Sequence, residues 1–230
     1  MKAETLAALN EARAAKRRVC LVRYLAGGGE ALVLDGAATL GEVPQDVAEA
    51  VASALRRDQS MLVDTSLGRA FLQVFNPPLR LIVIGAVHIA QALAPMASLA
   101  GYQVTVVDPR RAFATDSRFP DVAMTQDWPD EAMQALAPDR RTAVVALTHD
   151  PKLDDPGLDV ALRSEAFYIA ALGSRRTHAG RLERLKELGH DAATLARIHG
   201  PAGLDIGAVS PAEIAISVMA EMTRVLRGVG

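Results

Sequence analysis

Apolar and polar positions follow two different rhythms along the chain, and the change falls near residue 79. Before it, apolar runs are short and interrupted. Leu6, Leu9 and Ala12 lie near helical spacing and predict an amphipathic first helix. "RVCLVRYLAGGGEALVLDG" holds two β-rich runs around Gly27, Gly28 and Gly29, the pattern of a hairpin with a glycine loop. In "VPQDVAEAVASALRR", Val47, Val51 and Leu55 share one helical face and Pro44 marks its entrance. "SMLVD" and "RAFLQVF" add two short strands. Asn76-Pro77-Pro78 then interrupts both rhythms, because consecutive prolines remove backbone donors.

From Leu79 the apolar runs become continuous: "LRLIVIG", "QVTVVD", "TAVVALT" and "AFYIAALG". Such runs suit parallel strands covered on both faces. Helical stretches alternate with them, one carrying an internal Pro95 that removes a helical hydrogen bond. The expected fold is α/β. A small α+β domain covers residues 1–77, and a Rossmann-like parallel sheet with helices on both faces covers residues 78–230.

Composition narrows the function classes. A chain of 230 residues with 23% charged residues has the balance of a globular protein. Its net charge of -2 gives no sequence-wide positive field for nucleic acid. The single cysteine, Cys20, excludes an internal disulfide framework and a cysteine-based zinc cluster, and lies in an expected strand as a buried, inert thiol. The first residues lack a signal-peptide core, and no run has the length of a bilayer span. The reading is a cytoplasmic protein with no membrane segment and no metal site.

The chemistry is expected at the carboxyl ends of the parallel strands. "LRLIVIGAVHIAQALAPMASLAGYQVTVVDPRR" runs strand, glycine turn, helix, strand, acid. Gly85 permits a tight turn, Ala90 a close helix–sheet contact, and Asp108, 23 residues beyond Gly85, stands where an acid binds a ribose hydroxyl. Val87 replaces the middle glycine of the dinucleotide fingerprint. Its Cβ would crowd a diphosphate, and a β-branched residue avoids positive φ. Gly85, Ala86 and His88 are therefore candidates for an anionic ligand end rather than for ordinary NAD(P) contact. Arg110 or Arg111 could meet a phosphate; a solvated turn is the alternative. Thr148, His149 and Asp150 end the third run, as an acid/base pair, metal ligands or a loop hydrogen-bond network. Gly173-Ser174-Arg175-Arg176 ends the fourth. Two cations at a helix start oppose the macrodipole, so an anion site competes here with a serine-capped, solvated terminus. Gly203-Leu204-Asp205-Ile206-Gly207 is a glycine-bracketed loop with one acid, and Ser210-Pro211-Ala212-Glu213 reads as a capping box.

Taken together, "LIVIGAVHIAQALAPMASLAGYQVTVVDPR", "THD", "LGSRR" and "GPAGLDIGAVSPAEIAISVMAE" resemble the XdhC/CoxI family of accessory proteins for molybdenum hydroxylases such as xanthine dehydrogenase and carbon monoxide dehydrogenase. The resemblance covers roughly residues 79 to 222, with four motifs in the family's order. It implies a factor that binds molybdenum cofactor, as molybdopterin or its cytidine dinucleotide form, and assists its sulfuration and insertion into an apo molybdenum hydroxylase. A cysteine desulfurase as second partner and a homodimer go with that reading. The implied cofactor-binding residues are Gly85, Ala86, His88, Asp108, Arg110, Thr148, His149, Gly173, Ser174, Arg175, Arg176 and Asp205. Two positions depart from the family pattern. The usual turn G-A-G-H is Gly85-Ala86-Val87-His88 here, and Gly27-Gly28-Gly29 is followed by Glu30 where the family has a cysteine. The competing classes are an NAD(P)-dependent oxidoreductase, for which no tyrosine–lysine pair is visible beside the turn, and a non-catalytic binding module with an empty crevice.

Overall fold

The computed structural model describes residues 1–110 and 118–228. Contacts divide the chain into two compact units, Met1–Pro77 and Pro78–Gly230. The first unit holds α1 (Ala3–Ala14), β1 (Val19–Tyr24), β2 (Glu30–Leu34), β3 (Ala37–Leu40), α2 (Gln45–Arg57), β4 (Met61–Thr65) and β5 (Gly68–Phe75). Its antiparallel sheet runs β3-β2-β1-β5-β4. The expected hairpin is present, with Val22 opposite Ala31 and Cys20 opposite Val33. Gly27 and Gly28 both take positive φ in its loop.

Period-two alternation sends successive β1 residues to two cores. Cys20 and Val22 pack with Val47, Val51 and Leu55 of α2. Val19 and Leu21 pack with Leu9 and Ala12 of α1. The expectation for Leu6 is corrected: it is exposed, and Thr5 is buried instead. The Thr5 hydroxyl donates to Glu30 at 2.6 Å, so a satisfied polar side chain holds a place that hydrophobic spacing assigned to its neighbour. Asn76 bonds to the Leu55 carbonyl and to Asp58, tying down the residue before the two prolines.

The second unit holds β6 (Leu79–Ile84), α3 (His88–Leu99), β7 (Tyr102–Val107), β8 (Ala123–Thr125), α4 (Pro129–Leu136), β9 (Thr142–Ala146), α5 (Pro151–Arg163), β10 (Tyr168–Ala171), α6 (Arg175–Glu187), α7 (Ala192–Leu195), β11 (Ile198–His199) and α8 (Pro211–Arg227). The six strands are parallel and ordered β11-β10-β9-β6-β7-β8. Both faces are covered. Leu81, Val83, Val145 and Ala170 pack under α3 and α8. Ile82, Ile84, Val144 and Ile169 pack against residues of α4, α5 and α6. This is the doubly covered α/β sheet that the continuous apolar runs call for. The capping box forms as read: Ser210 accepts from the Glu213 amide, and the Glu213 side chain accepts from the Ser210 amide.

Candidate functional site

The strand order brings the candidate residues to one edge of the sheet. The chain leaves β6 toward β7 and β8, then returns to the other side of β6 with β9. In an open α/β sheet, ligands sit where that direction reverses, here outside the carboxyl ends of β6 and β9. The turns after β6 and β9 meet there. Gly85 has φ +107, and a Cβ on it would lie 2.4 Å from the Thr148 methyl carbon. Glycine is required for both reasons, conformation and close approach.

Asp108 shapes the turn from beneath. It is wholly buried, and its carboxylate accepts from the Ala86 amide (2.8 Å), the Arg110 amide (3.0 Å) and the Arg110 guanidinium (2.9 and 2.7 Å). Burial alone would raise this carboxyl; the Arg110 guanidinium and the two amides outweigh it and hold it below the usual carboxylate range. The carboxylate is thus shared between the turn and Arg110. A ribose hydroxyl would have to displace bonds already made, so Asp108 braces the turn, and Arg110 is its partner. Arg111, the alternative phosphate partner, lies outside the described residues.

The expectation for Val87 is corrected. Its φ is -92° and its ψ 176°, extended backbone rather than positive φ. Its side chain packs partly against the core under α3. The conformational objection to a valine at this position does not apply. Val87 provides no side-chain cap, and the first turn of α3 carries no acid. Amide groups and the helix dipole face the crevice with exposed His88 beside them.

The turn after β9 is a hydrogen-bond network. Asp154 is 1% exposed and accepts from the Thr148 hydroxyl (2.6 Å), the Thr148 amide (3.2 Å) and the His149 amide (3.1 Å). Asp150 caps α5 by accepting from the Lys152 amide. The loop-network alternative therefore holds for Asp150. His149 is exposed and has φ +64, an uncommon conformation for a side-chain-bearing residue. Its ring lies beside Gly173, which has φ +139 and where a Cβ would crowd the Thr177 side chain at 3.0 Å.

Ser174 caps α6 through the Thr177 amide. Arg175 and Arg176 are exposed, and neither makes a hydrogen bond or ion pair among the described residues. Of the expected site residues, Gly85, Ala86, His88, Thr148, His149, Gly173, Ser174, Arg175 and Arg176 stand on the turns of three adjacent strands, β6, β9 and β10. Asp205 stands apart. It is exposed on the loop after β11, which is anchored to α8 by Leu204 and Gly203 donating to the Ser217 carbonyl and Glu221.

Asp154 and Arg181 were not legible as site residues. Arg181 is 1% exposed, donates to the Leu172 carbonyl (2.9 Å) and reaches Asp154 at 3.4 Å. Burial pushes the Asp154 carboxyl up and the Arg181 guanidinium down, each against the pull of the other's charge. In "RRTHAGRLERLKE" Arg181 is one cation among several, and only its place beside buried Leu185 and half-buried Leu182 distinguishes it. Among the described residues no group of His, Cys, Asp and Glu could hold a metal ion, and no helix is long and apolar enough to cross a membrane.

Comparison with known proteins agrees with this architecture. The family described as the XdhC Rossmann domain matches residues 81–222. The molybdenum cofactor insertion chaperone PaoD of Escherichia coli is 34% identical over 151 residues, 66% of this chain and 41% of that protein. A probable xanthine dehydrogenase subunit of Bacillus subtilis is 33% identical over 153 residues, 66% of this chain and 44% of that protein. The chain thus spans less than half the length of these curated relatives. A crystal structure of a xanthine dehydrogenase from Bacillus halodurans shares the fold with a TM-score of 0.68 at 24% identity, covering 99% of this chain and 65% of that one. From the strand that enters the glycine turn to the helix that closes the second unit, the chain belongs to the XdhC family.

Proposed function

We propose that this protein is a maturation factor for molybdenum hydroxylases of the xanthine dehydrogenase type. In this reading it binds molybdenum cofactor at the carboxyl edge of the parallel sheet and hands it to an apoenzyme. The similarity to an insertion chaperone across two thirds of the chain supports the reading most. The donor set fits the anionic end of such a cargo. The uncapped start of α3, the Ser174 hydroxyl and two guanidinium groups without partners among the described residues offer hydrogen-bond donors to phosphate oxygens. Gly85 and Gly173 keep the two turns free of a Cβ that would crowd Thr148 and Thr177. When bound, the cargo supplies the molybdenum centre that the target enzyme needs. The chain's own residues hold its phosphate end and orient it.

Cys20 bears on the sulfuration step. Its thiol is wholly buried, and burial pushes its pKa up to about 12. A thiol held neutral in a sheet core is a poor nucleophile. Within these 230 residues there is no other cysteine. We therefore place sulfur chemistry on a partner, a cysteine desulfurase, and keep cofactor holding for this chain.

The test is calorimetric titration with molybdenum cofactor and, separately, with NADH and NADPH. Tight binding of the pterin, weakened about tenfold or more by Arg175→Ala, is the expected result for loss of one charge-assisted contact. Binding of a nicotinamide cofactor alone would overturn the reading in favour of a redox enzyme, against which the backbone of Val87, being extended, raises no conformational objection.

A further inference from the structure

A cavity of about 270 Å³ lies between the start of α5 and the first half of α6. Its α6 wall obeys helical spacing, with Arg176, Thr177, Gly180, Arg181 and Arg184 on one face. Arg181 is the buried member. Its Nη2 is used by the Leu172 carbonyl and Asp154, but its Nε and Nη1 donate to no acceptor among the described residues. Buried donors without acceptors are costly, and a guanidinium has a fork of them. Arg176, exposed on the same wall, has no acidic partner among the described residues. Gly180 keeps the middle open. A Cβ there would find only the Arg184 Nη1 within 4 Å, at 3.6 Å.

Charge favours an anion. Two carboxylates also line the cavity, and both are engaged. Asp155 pairs with Arg184. Asp154 is shared among the Thr148 hydroxyl, two amides and Arg181. Arg181 keeps its buried Nε and Nη1 unused, and Arg176 makes no hydrogen bond or ion pair among the described residues. We propose that this groove is an oxyanion site for a phosphate group, with Arg181 as its buried donor fork and Arg176 closing over the ligand from the rim. The phosphate is the end of a phosphate monoester or a free phosphate ion, since both present the same oxygens. The groove shares Arg176 with the cofactor reading above, but the assignment rests on the α5–α6 groove and buried Arg181, and its probe is not the pterin.

The experiment is titration of the full chain with inorganic phosphate and with cytidine monophosphate, against chloride at matched ionic strength. Removing Arg181 would strand buried Asp154, so the decisive variant is Gly180→Met, which fills the groove with a good helix former and keeps every charge. Arg176→Gln is the second. Saturable binding by the parent protein, weakened about tenfold in each variant while circular dichroism is unchanged, is expected. Tighter monoester binding assigns the site to a nucleotide-like end, and preference for inorganic phosphate assigns it to the free ion; both support the site. Absence of saturable binding, or unchanged affinity in Gly180→Met, overturns it. Loss of the pterin's affinity in Arg175→Ala with no phosphate site in the groove would leave the cofactor reading standing alone.

Discussion

At the scale of single residues, Asp108 shows how a position in a motif and the work of its side chain can differ. A ribose-binding acid needs a carboxylate open to the crevice. Here the carboxylate is buried and filled by the Ala86 amide and Arg110. Replacing it with Asn keeps an acceptor for the amide but loses the ionic partner of Arg110. Asp108→Asn is expected to cost about 2 kcal/mol at pH 7, the scale of a charge-assisted hydrogen bond. The pH dependence has a definite sign. The folded-state carboxyl lies below its unfolded value, so its contribution is complete above about pH 4–5 and fades as pH falls through the folded pKa. Denaturant unfolding at pH 7 and pH 3 checks this. The gap between parent and variant should shrink at the lower pH, and an equal gap at both would show that Asp108 is not an ionic brace.

At the scale of elements, the site is made by strand ends that touch. The turns after β6 and β9 are 63 residues apart in sequence, taking Gly85 and Thr148 as their marks, and meet because the two strands are neighbours. Gly85→Ala should cost about 3 kcal/mol, from positive φ and from contact with the Thr148 methyl. Adding Thr148→Ser removes that methyl and keeps the hydroxyl that donates to Asp154. The double variant should recover about 1 kcal/mol, leaving the backbone strain. A double-mutant cycle with no coupling would refute the contact. The helix ends tell a complementary story. Ser210 and Glu213 form a complete capping box on α8, whereas α6 starts with two arginines and α3 starts uncapped. Helices that need only stability carry acids at their amino ends. α3 and α6 carry none in their first turns, whereas α5, which starts at the same edge, has Asp150 and Asp154 there.

At the scale of the whole molecule, each unit builds core clusters of its own. The two clusters of the first unit draw on residues between Ala8 and Phe75, and those of the second on residues between Leu79 and Leu226. The two core clusters of the second unit predict that residues 78–230 fold without the first unit. A fragment of those residues should unfold in one cooperative urea transition with dispersed amide resonances. A broad, non-cooperative transition would mean that the second unit depends on residues 1–77.

The local sequence determined the elements whose signals are short-range. Continuous apolar runs marked the parallel strands because both faces of each must be buried. The glycine hairpin, the α2 face and the Ser210 capping box were equally plain, since each depends on neighbours within about one turn or one hairpin. The two prolines marked the boundary between rhythms. What sequence left open was set by how turns fold back and which elements come to lie side by side. Whether Asp108 faces a ligand or an arginine depended on where Arg110 folds back. Whether Val87 is strained depended on its φ, which the turn geometry sets at an extended value. That Arg181 goes to the bottom of a groove while Arg176 stays at its rim was decided by α6 lying along α5, with Asp154 placed beneath by the strand order. Hydrophobic spacing reports which face of a helix is buried, but not which distant charge it will meet, because that pairing exists only once the strands have been ordered side by side.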